Sequence, residues 1–183
     1  MVMRKTLLAI SFILLTGLYL QVEGGEPMDF ILKSAVFQDG DAIPQDYTCE
    51  GMDVSVPLAW EKQPEGVKSY TLLVEDPDAP VGTFTHWILF DLPGDITELA
   101  QGIPSDQVMS NGSMQGKSDF GRIGYGGPCP PRGHGRHRYF FILRALDVKS
   151  LGLKPGAAKK EVERAMEGHV LGEARLMGIY ERK

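Results

Sequence analysis

Two histidines, a tyrosine and two aspartates fall at the ends of three apolar runs, and these side chains are the ones equipped for chemistry. Asp76 and Asp78 close the first run, His86 sits near the start of the second, and His137 and Tyr139 open the third. Imidazole N–H groups and a phenol can donate to the oxygens of a phosphate or carboxylate. A neighbouring carboxylate such as Asp76 can orient one ring and fix its tautomer, or accept a ligand ammonium. Gly124, Gly126 and Gly127 lie just upstream of His137, where bare backbone can approach a ligand and aim N–H groups at it. The set suits capture of a small anion. A hydrolase would use Asp76 with His86 or His137 as acid and base, but no serine or cysteine stands in a nucleophile elbow and no oriented triad can be read. The expectation is a binding protein, not an enzyme.

Those residues need a scaffold that brings their run ends together. Residues 69–75 (SYTLLVE) are rich in β-branched and aromatic side chains and read as a strand, stopped by Pro77 and Pro80. Residues 84–92 (FTHWILFDL) and 137–147 (HRYFFILRALD) read as two more. The core face of the last alternates through Tyr139, Phe141 and Leu143 or through Phe140, Ile142 and Arg144. Weaker strand signals cover 29–37 and 174–180. The stretch 43–60 is polar and punctuated by Pro44, Gly51 and Pro57, so it reads as loop. Residues 93–136 are irregular and hold many of the glycines, and a loop that long in a compact domain is usually functional. Residues 157–170 place Val162, Ala165, Met166 and Val170 on one helical face. Strands adjacent in sequence commonly pair, which would bring the three chemically equipped ends to one mouth of a sheet.

Composition narrows the partners. The net charge of −5 argues against nucleic acid or a broad anionic surface, so any anion must be held locally. Arg4 and Lys5, the apolar run 6–20 and the small polar residues 21–25 have the layout of a secretory signal peptide. It spans residues 1–24, with the mature domain from 25 to 183. The expected location is periplasmic or secreted, with no membrane span retained after cleavage. The only cysteines, Cys49 and Cys129, sit in Gly/Pro-rich loops and can form a disulfide or remain as two thiols. Cys129, His134 and His137 match no usual zinc spacing. Asp119-Phe120-Gly121 lacks the companions of a kinase motif, and His134 in its GHG stretch reads as solvated. No metal or cofactor is expected.

Taken in order, Asp76-Pro77-Asp78-Ala79-Pro80, His86-Trp87, Gly126-Gly127-Pro128-Cys129-Pro130-Pro131 and His137-Arg138-Tyr139 resemble the signature of the phosphatidylethanolamine-binding family. The branch it looks like is the prokaryotic YbhB/YbcL-like, or Raf-kinase-inhibitor-like, one. Supporting stretches are Tyr47-Thr48-Cys49-Glu50-Gly51 and Ala165-Met166-Glu167-Gly168-His169-Val170, and the similarity runs from Phe30 to Tyr180. The resemblance implies a mainly β fold, an antiparallel Greek-key β-sandwich with a peripheral C-terminal helix. It also implies a pocket for phosphate, acetate or a phospholipid-headgroup-like group. That pocket would be built from Asp76, Ala79, Pro80, His86, Pro130, Pro131, His137 and Tyr139, with backbone around Gly127 to Cys129 facing the anion. The loop between Asp76 and His86 is shorter than in eukaryotic members, Phe84 stands where they tend to carry Trp, and Cys129 stands where they carry a small Gly. Headgroup specificity and kinase binding are therefore not implied for this chain. The alternative expectation is an inhibitor or interaction partner of an extracytoplasmic protein such as a protease.

Overall fold

The computed structural model describes residues 30–183; the leader read over residues 1–24 lies outside them. The chain runs β1 (Ile31–Lys33), a 3-10 turn (Gln45–Tyr47), β2 (Leu58–Glu61), β3 (Ser69–Asp76), β4 (Phe84–Pro93), β5 (Glu98–Leu99), β6 (Met114–Gln115), β7 (His137–Leu146), helix α1 (Lys159–Met166) and β8 (Val170–Tyr180). Two sheets form, ordered β1-β2-β5 and β6-β4-β3-β7-β8, and every strand pair in them is antiparallel. Within the larger sheet β3, β4 and β6 follow one another and β7 returns beside β3, which is the Greek-key order.

The three strong apolar runs become the centre of the larger sheet because both of their faces are covered. Tyr139, Phe141 and Leu143 of β7 turn inward with Leu72, Val74, Trp87 and Leu89, and Leu32, Leu58 and Trp60 of the smaller sheet pack against them. On the other face Leu73, Ile88 and Phe90 lie under Val162 and Met166 of α1. Each such side chain, fully buried, contributes about 1.5–3 kcal/mol.

Weaker signals shift their bounds for identifiable reasons. Among the described residues of the strand read over 29–37, pairing is confined to Ile31–Lys33, because the Ser34 hydroxyl then donates to the Pro57 carbonyl (2.7 Å) and the chain bends. The stretch 43–60, read as loop, contains the 3-10 turn and supplies most of β2. The helix read over 157–170 stops at Met166, Gly168 takes a positive φ of 80°, and β8 begins at Val170 instead of 174. His169, just beyond the helix, lies 2.8 Å from Asp147 through its Nδ1.

Register explains why the site residues meet. β4 and β7 both run antiparallel to β3, with Asp76 opposite Phe84 and Glu75 opposite Phe140. The C-terminal end of β3 therefore lies between the N-terminal ends of its two neighbours. That end of the sandwich carries Asp76, His86, His137 and Tyr139.

Candidate ligand-binding pocket

Asp76 is the last residue of β3 and is 3% exposed. Its Oδ1 accepts the Asp78 N–H at 2.8 Å, which folds the Pro-rich turn back over the strand end. Its Oδ2 accepts from His137 Nδ1 at 2.7 Å. The carboxylate is thus committed to orienting His137 and is not free for a ligand ammonium. Asp78 points away, where the Arg138 side chain donates to it through two nitrogens at 2.9 and 2.7 Å and pulls its carboxyl down to about 2.

His86 is held differently. Its Nδ1 lies 2.7 Å from the Gly126 carbonyl, an acceptor only, so Nδ1 carries the proton and donates. Gly126 N–H returns a bond to the His86 carbonyl at 3.2 Å. Burial pushes the imidazole below the usual histidine range, against the raising effect of the Gly126 carbonyl and the Asp76 charge. Near neutral pH the ring is uncharged and Nε2 bears a lone pair. Phe84, Phe120 and Tyr139 stand edge-on around it, each with its ring centroid 5.2 Å away.

Between these imidazoles opens a cavity of about 280 Å³. Asp76, His86 and His137 form its polar part. Ala79, Pro80 and Val81 from the β3–β4 turn, Phe84, Phe120, and Cys129, Pro130 and Pro131 supply mostly apolar walls. Proline has a fixed φ, so three of these positions are rigid before any ligand arrives. Cys49 and Cys129 are joined (Cα–Cα 5.4 Å), tying the wall to the loop after the 3-10 turn. That bond removes Cys129 from any metal set. A larger cavity, about 690 Å³, lies at the opposite end of the strands beside Asp91. There the Asp91 carboxylate accepts from Ser150 Oγ (2.6 Å) and Leu151 N (2.9 Å), and no imidazole of the described residues lines that cavity, whereas His86 and His137 both line the smaller one.

Eight of the ten residues expected in the pocket line it: Asp76, Ala79, Pro80, His86, Cys129, Pro130, Pro131 and His137. Gly127 and Tyr139 do not. The Gly127 N–H is spent on Asp53 Oδ1 at 2.6 Å, and a Cβ at Gly127 would come within 2.5 Å of the Tyr47 carbonyl. A Cβ at Gly126 would strike the Phe120 ring at 2.4 Å. These glycines allow protein segments to pack closely and do not form an anion nest. Tyr139 stands behind His86, fully buried, and its hydroxyl has no hydrogen-bond partner among the described residues. Burial, with the Asp76 charge, raises that phenol far above its ordinary range.

The sequence profile described as "Phosphatidylethanolamine-binding protein" matches residues 33–181. The chain belongs to the phosphatidylethanolamine-binding protein family. A UPF0098 protein of Aquifex aeolicus is 52% identical over 159 residues, spanning 87% of this chain and 91% of that one. A solved phosphatidylethanolamine-binding protein homologue of Chlamydia trachomatis is 38% identical with a TM-score of 0.77, covering 86% of this chain and 100% of its own. YbcL of E. coli, described as a member of the mammalian family, is 29% identical with a TM-score of 0.78, covering 84% and 99%.

For this family member the sequence reading missed three wall residues, Val81, Phe84 and Phe120, and the contact that His134 makes with His137. Phe120 is pinned against β4 because Asp119 Oδ2 accepts the Thr85 N–H (2.6 Å) and Asp119 N–H donates to the Thr85 carbonyl (3.0 Å). Its only signal was an aromatic residue in a Gly-rich loop. Val81, 84% exposed, forms the rim. His134 is exposed as read, yet its Nδ1 lies 2.8 Å from His137 Nε2.

Proposed function

We propose that this protein binds a small anion, a phosphate or phospholipid-headgroup-like group, with its oxygens between His86 and His137 and its remainder against the proline and phenylalanine walls. The observation that carries the reading is the buried Asp76–His137 pair facing a cavity that also receives His86. A buried polar pair on an otherwise apolar wall earns little stability for the fold, which favours a role toward a ligand. The cavity volume sits at the lower end of small-molecule sites and suits a headgroup-sized occupant.

Binding is the whole activity in this reading. Among the described residues the cavity wall carries no serine or threonine for either imidazole to activate, and its one sulfur is in a disulfide. Panels of phosphate and carboxylate esters should show no turnover that depends on His86. The signal-peptide layout of residues 1–24 supports export, and a disulfide fits an oxidising compartment.

The proton inventory sets the pH dependence. In the empty pocket burial keeps His86 below its reference value of 6.5, hence uncharged near neutrality. An anion at Nε2 requires that nitrogen to take up a proton, so affinity rises as pH falls toward and below about 6.5, by up to about tenfold per pH unit. Calorimetry with inorganic phosphate, and with sulfate, whose charge is constant over about pH 5 to 8, checks this. His86→Ala and His137→Ala should each weaken binding by at least about tenfold, the scale of a lost charge-assisted hydrogen bond. Titrations identical to wild type in both variants would remove the pocket from consideration.

A further inference from the structure

The outward nitrogen of His137 is already occupied by the protein itself. His137 Nδ1 donates to Asp76, so Nε2 is the only ring atom left for a ligand, and His134 Nδ1 lies 2.8 Å from it. The two rings are 5.1 Å apart and tilted by 58°. His137 is 1% exposed while His134 is exposed, so one ring is fixed and the other is movable. His134 stands between Gly133 and Gly135, with φ of 74° and 87° and open space where a Cβ would lie. The turn is held by His134 N–H to the Pro131 carbonyl (3.1 Å) and Gly133 N–H to the Arg182 carbonyl (3.3 Å).

We infer that His134 is a proton-released latch on the pocket: it occupies His137 Nε2 in the empty protein, and an anion binds by displacing it. The inference rests on the anion-binding reading and adds how that site is controlled. With both rings neutral, His134 Nδ1–H donates to the His137 Nε2 lone pair. With one more proton, His137 Nε2–H donates to His134 Nδ1. With both rings doubly protonated, two N–H groups face each other and the contact cannot persist. Asp76 then retains His137, and His134 swings out on its glycines. The charged groups around the pair are already partnered. On the same loop Arg132 is paired with Glu50 and Arg136 with Glu181, on the C-terminal segment Arg182 is paired with Glu50, and on β7 Arg138 is paired with Asp78. The His134–His137 contact itself is therefore what changes with protons.

The test is sulfate calorimetry on wild type and His134→Ala at about pH 7.5 and about pH 5, since histidine changes charge across that interval. The latch costs wild type one hydrogen bond, so His134→Ala should bind sulfate roughly 2- to 10-fold tighter at the higher pH. At the lower pH the two proteins should converge, giving the variant the shallower pH profile. Weaker binding by His134→Ala at both pH values would make His134 a ligand donor and overturn the latch, as would equal binding at both. If neither protein binds any anion, the proposed function fails and the latch fails with it; where both bind, 15N shifts of the His137 ring test the latch by itself. A pH titration of those shifts that changes in His134→Ala supports it, and an unchanged titration sinks it.

Discussion

Replacing both Cys49 and Cys129 by serine is expected to lower the unfolding free energy by about 4 kcal/mol. The bridged residues are 80 apart in sequence, so the bond closes a long loop in the unfolded chain and removes much of its freedom. The native structure loses little when the bond is cut, because Cys49 N–H donates to the Pro128 carbonyl at 3.2 Å and the two loops stay paired through backbone. The destabilisation therefore acts mostly through the unfolded state. For a chain of this size it corresponds to a fall of roughly 8–16 °C in the thermal midpoint. Wild type under reducing conditions should unfold with the same midpoint as the double variant in the absence of reductant. Equal stability of oxidised wild type and the double variant would show that the bridge does not form in the folded protein.

What could be read from the sequence follows the strength of each local signal. The runs 69–75, 84–92 and 137–147 are apolar enough to be buried on both faces, and their ends carry the chemistry, so three strands and most of the pocket were legible together. β2 offered only Leu58 and Trp60 as an alternating pair behind Pro57, too short a pattern to compete with its polar surroundings. β5 and β6 are two residues each and exist because β2 and β4 offer edges to pair with. The glycine-rich loop misled for a long-range reason. Asp53, with a φ of 55°, reaches across 74 positions to take the Gly127 N–H, and no local pattern announces that contact. The spacing of His134 and His137 was visible, but the contact depends on a turn that Gly133 N–H ties to the Arg182 carbonyl, a long-range bond that no local pattern announces.

Removing Asp76 alone should be far more damaging than removing the whole polar pair. Asp76→Ala leaves the His137 Nδ1–H and the Asp78 N–H without their acceptor, the first of them in a ring that is 1% exposed. Breaking a buried pair on one side costs about 3–5 kcal/mol, because the remaining partner stays desolvated and unsatisfied. Asp76→Asn keeps an amide oxygen near His137 Nδ1 and should lose roughly 1–2 kcal/mol. The double variant Asp76→Leu/His137→Phe leaves no desolvated polar partner of the pair behind, only the Asp78 N–H without its acceptor, and should unfold within about 2 kcal/mol of wild type. Denaturant unfolding of the four proteins gives the comparison, and phosphate calorimetry gives its meaning. If the double variant is within about 2 kcal/mol of wild type yet binds no phosphate, the pair is there for the ligand. If the double variant is instead as unstable as Asp76→Ala, the pair holds the strand ends together, and the strongest argument for a ligand at this end of the sandwich is lost.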